Sequence, residues 1–193
     1  MEFKRLAHDR GLEWIGPSFT DGGFTMQLSL AKIKSEKEIV SLAQLASDIW
    51  HEYFVTIISK EQIDYMVEKF QSVPALTDQI TNQGYEYYFM TSQGDPMGYL
   101  GIKQDAGKLF LSKFYIQKEH RGKGYASQAM ELLVEMGRKR NLGAIWLTVN
   151  RHNASTIAVY EKKGFRIIRT QVADIGNGFV MDDFVMEKEI EFI

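Results

Sequence analysis

Residues 108–149 read as a strand, a glycine-punctuated turn, a helix and a second strand, an order that few folds accommodate. Lys108 to Gln117 alternates as a strand, and Ala126, Ala129, Met130, Leu133 and Met136 mark the buried stripe of a helix that stops near Asn141-Leu142-Gly143. Ala144 to Val149 is almost continuously apolar, as expected of an interior strand covered on both faces. A strand, a crossover helix and a further strand make a right-handed parallel unit.

The turn inside that unit is Arg121-Gly122-Lys123-Gly124-Tyr125-Ala126. Two glycines within three residues let a ligand approach the main chain, and the following helix aims its unpaired N–H groups at the same place. Such a turn suits a pyrophosphate, with Arg121 and Lys123 adding cations to its rim. Other phosphate loops fail by position. A dinucleotide fingerprint needs glycine where Ser127 stands, and the nearest P-loop candidate, at Gly107-Lys108, has Ile102 and Leu109 at required positions.

The remaining chain supplies elements on both sides of this unit. Residues 1–24 hold a helix-like stretch from Phe3 to Trp14 and then loop signals, and they form an N-terminal extension with no assigned role. Phe24 to Ile33 alternates as a first strand. Ser35 to Glu38 is a capping box opening a helix to about Phe54, and Ser59 to Gln62 repeats the signal for a helix ending near Pro74. A short helix follows from Leu76 to Asn82. Tyr85–Ser92, Met97–Gln104 and Lys108–Gln117 read as an antiparallel meander. After Val149, Asn153 caps a helix through Tyr160 to Lys163, and Phe165–Ile175 and Phe179–Ile190 flank a hairpin at Gly176-Asn177-Gly178.

The chain has 193 residues, 45% of them hydrophobic, enough for one domain spanning 1–193. A formal net charge of -2 gives no reason to expect nucleic-acid binding. Cysteine is absent, so disulfides, thiolate zinc sites and a cysteine nucleophile are excluded. The four histidines lack metal-ligand spacing. No signal-like or membrane-length apolar run occurs, and the expectation is a cytoplasmic protein without membrane contact.

Arg121, Gly124 and Ala126 fill the [QR]-x-x-G-x-[GA] pattern, and Asn153 with Tyr160-Glu161-Lys162-Lys163-Gly164-Phe165 is similar to N-x-x-A-x-x-x-Y-E-x-x-G-F with the alanine shifted in register. In both motifs, and in element order from Met26 onward, the chain resembles the GNAT family of N-acetyltransferases. The resemblance implies an α/β (α+β mixed) GNAT fold, with a mixed, mostly antiparallel sheet of about seven strands and helices on both faces. It implies acetyl-CoA as co-substrate, held by Tyr115, Ile116, Arg121, Gly122, Lys123, Gly124, Tyr125, Ala126, Asn153 and Lys162. It also implies Tyr160 as catalytic proton donor to the departing thiolate. Asn153 and Tyr160 are seven residues apart, so on one helix they differ by about 20° around the axis and by roughly 10 Å along it. One helix side can then touch an extended ligand twice. Ile116, at the end of a strand splayed from its neighbour, would offer its N–H to the thioester carbonyl.

An amine acceptor needs a base, and His51, Glu52, Glu86, Asp182, Asp183 or water are the open choices. Tyr85 to Phe89 offers rings for an acceptor cleft. Tyr65 to Ser72 resembles polyamine acetyltransferases of this family, and the acidic residues suit such a substrate. The expected partner is a small-molecule amine, with a homodimer also allowed. Acetylation of a protein N-terminus or lysine, and a non-catalytic acyl-CoA-binding module, are the alternatives.

Overall fold

The computed structural model describes Trp14, Ile15 and residues 28–192. Its strands are β1 (Trp14–Ile15), β2 (Ser29–Lys32), β3 (Tyr85–Ser92), β4 (Asp95–Asp105), β5 (Lys108–Ile116), β6 (Ala144–Asn150), β7 (Arg166–Gly176) and β8 (Phe179–Glu189). Its α-helices are α1 (Glu36–Tyr53), α2 (Lys60–Gln71), α3 (Val73–Thr81), α4 (Tyr125–Lys139) and α5 (Ala154–Lys162). The strands form one sheet in the order β1-β2-β3-β4-β5-β6-β8-β7. Every neighbouring pair is antiparallel except β5 and β6. The mixed, mostly antiparallel sheet is therefore as expected, with the two-residue β1 added at one edge.

Local signals explain most boundaries. Ser35 accepts from Glu38 N–H at 3.3 Å while Glu38 accepts from Ser35 N–H at 2.8 Å, so the capping box forms and α1 starts there. Ser59 caps α2 through Gln62 N–H at 3.2 Å. Pro74 departs from expectation: it lies in the first turn of α3 rather than at the end of α2, a position where its missing N–H costs nothing. The turn before β4 is also shorter than expected. Gln93 and Gly94 alone carry positive φ, of 57° and 98°, and Asp95-Pro96 already belong to the strand. At the N-terminus the expected helix falls on residues outside those described, except that Trp14 pairs with Ala31 as a strand residue.

Helices cover both faces. Leu42, Ala46, Ile49 and Leu76 from α1 and α3 bury against Tyr87 and Tyr99 on one side. Ala129, Leu133 and Met136 of α4 and Tyr160 of α5 bury against Leu100, Leu111, Ile145 and Met186 on the other. At a few kcal/mol per fully buried large side chain, these two layers fix the strand order that positions the site. Among the described residues no helix is long and apolar enough to cross a membrane.

Candidate active site

β5 and β6 share a ladder only at Leu109 with Ile145 and Phe110 with Trp146. Beyond those pairs β5 runs on to Ile116 and β6 to Asn150, so the strands part toward their C-terminal ends. A bulge helps to aim β5 away. Gly101 pairs with Lys113 and Ile102 with Leu111, which leaves Ser112 as an extra residue that bends its strand. The main chain of Ile116 then matters. Gln117 N–H donates to Met97 O at 2.9 Å, and the alternation of an antiparallel ladder turns the N–H and C=O of Ile116 away from β4, toward the gap.

The turn follows at the open end. Gly122 and Gly124 both sit in the left-handed region, at φ 74° and 84°, and a Cβ built on either would meet open space. Gly124 is the N-cap of α4 and no side chain caps that helix, whose N-terminus therefore carries the positive end of the helix dipole into the cradle. The cradle fits an anionic ligand such as a pyrophosphate. Its side chains are arranged differently from the sequence expectation. Arg121 turns inward: its Nε donates to Ile116 O at 2.8 Å, its guanidinium pairs with Glu52 at 2.5 Å and lies 4.9 Å from the Tyr53 ring centre. Lys123 is exposed on the rim, Ala126 is half-buried in the first turn, and Tyr125 points into the core.

On the far side of the gap, Asn153 does what an N-cap does. Its Oδ1 accepts from Thr156 N–H at 3.3 Å, from Ser155 Oγ at 3.2 Å and from Tyr53 Oη at 3.2 Å. Tyr53 Oη also bonds Thr156 Oγ1 at 2.8 Å, so the end of α1 spans from the turn to α5. Tyr160 is buried, with its ring 5.4 Å from Phe165, and burial raises its phenol well above the usual tyrosine range. It is held in the protonated form that a proton donor needs. Tyr115 contributes its ring, 5.6 Å from Trp50 and 5.4 Å from Tyr99, and burial likewise raises its phenol.

Lys162 ends α5 exposed, whereas its neighbour Lys163 reaches back 2.5 Å to Ser127 Oγ in the first turn of α4. Lys163, Tyr53 and Thr156 are the site residues that sequence reasoning passed over. Lys163 lies within a quoted motif at a position the pattern leaves free, and Tyr53 has no spacing relation to either motif.

The base candidates separate sharply. His51 bonds Asp64 at 2.7 Å and Ser47 O at 2.7 Å, and the Asp64 bond raises its imidazole. Glu52 is spent on Arg121. Glu86 lies among Lys32, Arg140 and Tyr88, whose bonds outweigh its burial and lower its carboxyl to about 2. Asp182 pairs with Arg151 at 3.1 Å. Asp183 is only 3% exposed, no hydrogen bond reaches its Oδ1 and, unlike Asp182, it has no cation beside it among the described residues; burial, helped by Asp182, raises it to about 6. The aromatic run is absorbed elsewhere: Tyr87, Tyr88 and Phe89 are buried in the two core layers, with Tyr87 Oη donating to Gln79 at 2.6 Å. Alternate residues of a sheet covered on both faces find cover on opposite sides, so these three rings belong to the core, and of the run's aromatic residues Tyr85 is left half-buried, beside a cleft it shares with Gln79, Gln83 and Lys113.

A profile of the acetyltransferase (GNAT) family matches residues 42–165, from the middle of α1 to the end of the α5 motif. An uncharacterized N-acetyltransferase from the pepI 3′ region of Lactobacillus delbrueckii subsp. lactis is 24% identical over 164 residues, 81% of this chain and 94% of that protein. The ribosomal protein bS18-alanine N-acetyltransferase of Escherichia coli is 32% identical over 89 residues, 44% of this chain and 59% of that enzyme. Among solved structures, the PaiA N-acetyltransferase of Thermoplasma acidophilum in complex with coenzyme A has a TM-score of 0.69 at 21% identity, covering 85% of this chain and 99% of that one. That likeness is one of fold.

Proposed function

The chain belongs to the acetyltransferase (GNAT) family, and we propose that it transfers the acetyl group of acetyl-CoA to a primary amine by direct attack in a ternary complex. The observation that carries this reading is the gap where β5 and β6 part, with the Ile116 N–H, Asn153 and Tyr160 around it and the Gly122 to Gly124 cradle at its mouth. The cradle and the α4 N-terminus take the pyrophosphate, with Lys123 and Lys163 as nearby cations. Ile116 N–H donates to the thioester carbonyl and stabilises negative charge developing on its oxygen. Tyr160 hands its proton to the departing sulfur. A chain without cysteine has no thiol on which to park the acetyl group, so attack by the amine itself is the simpler route.

The acceptor is a small amine, and the likeness of Tyr65 to Ser72 to polyamine acetyltransferases points to a polyamine. The ion pairs narrow it. Glu52, Glu86 and Asp182 are each neutralised by Arg121, by Lys32 and Arg140, and by Arg151, which leaves Asp183 as the single uncommitted carboxylate of the four. One buried carboxylate suits one ammonium better than the several of a polyamine. A second reading, an α-amino group at a protein N-terminus, is favoured by the similarity to the bS18-alanine enzyme.

The test is thiol release from acetyl-CoA with spermidine, an aminoglycoside and an alanine-terminated peptide. Turnover with any of them supports the enzyme. Saturable acetyl-CoA binding with no turnover on any of them supports a non-catalytic acyl-CoA-binding module instead.

A further inference from the structure

Asp183 stands on β8 opposite Asn150, the last residue of β6, and opposite Gln171 of β7. Residues two apart on a strand share a face, so Asp183 looks the same way as Met181 and Phe179, which pack with Trp50, Phe54 and Tyr115 in the aromatic cluster under α1 and α2. Asp182 faces the other side, where Arg151 holds it. The carboxylate of Asp183 and the phenol of Tyr160 both act electrostatically on Tyr115, and Tyr53 does so as well. Tyr115 is the residue before Ile116, which turns its N–H into the gap, and it packs in the same cluster as Met181 and Phe179 on the face of β8 that carries Asp183. A carboxylate that is 3% exposed, with an oxygen no hydrogen bond reaches, costs the fold stability unless a ligand completes it.

We infer that Asp183 is the general base of the reaction: it receives the ammonium group of the acceptor on Oδ1 and takes one proton from it. This rests on the acetyltransferase reading above. The proton count closes. Asp183 removes the first proton from R–NH3+, and the freed lone pair forms the C–N bond to the thioester carbonyl carbon. The C–S bond then breaks, Tyr160 protonates the sulfur, and the second proton of the bound nitrogen restores Tyr160. Asp183 releases its proton to solvent, so amide, thiol and one proton leave.

The groups near Asp183 fit this role. Tyr115, on which it acts, is a neutral phenol raised by burial, its cross-strand partners Asn150 and Gln171 are uncharged, and its chain neighbour Asp182, on the other face, carries its own cation. No neighbouring base among the described residues is placed to substitute: His51 is tied to Asp64 and Ser47. A carboxyl near 6 is ionised at neutral pH yet close enough to an α-amino group, at about 8, for the transfer to be easy.

The experiment measures thiol release by the wild type and by Asp183→Asn, with spermidine, the aminoglycoside and the alanine-terminated peptide, from pH 5 to 10. The expected result is a kcat lower by about 100-fold or more in the variant. Its acetyl-CoA affinity by calorimetry should stay within about twofold, which also shows that it is folded. The wild-type rate should rise through a pKa near 6, and the variant should lose that limb and follow the ionisation of the amine instead. A folded variant that keeps the wild-type kcat and the limb near pH 6 overturns the assignment while leaving the acetyltransferase reading intact. No turnover by the wild type on any of the three amines refutes both.

Discussion

Gly124→Ala separates what the cradle does for the fold from what it does for the ligand. Gly124 has φ 84° and a Cβ there meets no protein atom, so the substitution brings backbone strain without a clash. Holding a non-glycine residue in the left-handed region costs about 1–2 kcal/mol. In a chain of this size each kcal/mol lowers Tm by about 2–4 °C, so the variant should melt about 2–8 °C lower. The open space that the methyl would enter is the space proposed for the pyrophosphate. Losing one charge-assisted hydrogen bond costs about 1.5–3 kcal/mol, which weakens acetyl-CoA binding by roughly 10- to 150-fold.

Gly94→Ala is the matched control. Its φ is 98°, its Cβ also meets open space, and it lies in the β3–β4 hairpin, which contributes no residue to the cradle. Melting by circular dichroism should show similar losses for both variants, and calorimetric titration with acetyl-CoA should show weakened binding for Gly124→Ala alone. Equal affinity in the two variants would refute the cradle, whatever their stabilities.

Further outcomes follow from the same geometry. Tyr160→Phe should lower kcat by about 100-fold with little change in acetyl-CoA affinity, measured by steady-state kinetics beside calorimetry. Asp183→Asn should stabilise the protein at pH 8. A buried carboxyl raised from 3.8 to about 6 favours its protonated form in the fold, so the wild type loses on the order of 3 kcal/mol as pH rises through that window, and the amide does not. Glu86 has the opposite sign. Its carboxyl is lowered from 4.5 to about 2, its contribution is present above pH 4.5 and is lost as pH falls toward 2, and Glu86→Gln should flatten the acid limb of a melting-temperature profile by on the order of 3 kcal/mol. Lys163→Ala should weaken acetyl-CoA binding more than Lys162→Ala, because Lys163 alone reaches the first turn of α4.

Much was settled by the sequence itself, and for a physical reason: its signals were local. Capping boxes at Ser35 and Ser59, the Asn177-Gly178 hairpin with φ 56° and 75°, and the periodicity of α4 each act within a few residues, so a linear reading finds them. The glycine turn and the Asn153 to Tyr160 helix are local in the same sense, and both formed as read. Pro74 is ambiguous in a sequence because a proline both ends a helix and begins one, and the packing of Leu76 and Gln79 decides which.

What tertiary structure decided was which charges are free and what surrounds the gap. Glu52, Glu86, Asp182 and Asp183 look alike in a sequence, yet their fates depend on Arg121, Arg140 and Arg151 from other elements. Arg121 lies 69 residues from its partner Glu52, and Tyr53 lies 100 residues from Asn153. No periodicity carries information over such separations. The sequence determined that a glycine turn opens a helix beside a strand; the fold alone decided that the strand parts from its neighbour there, and that the buried Asp183 carboxylate is left without an ion-pair partner among the described residues.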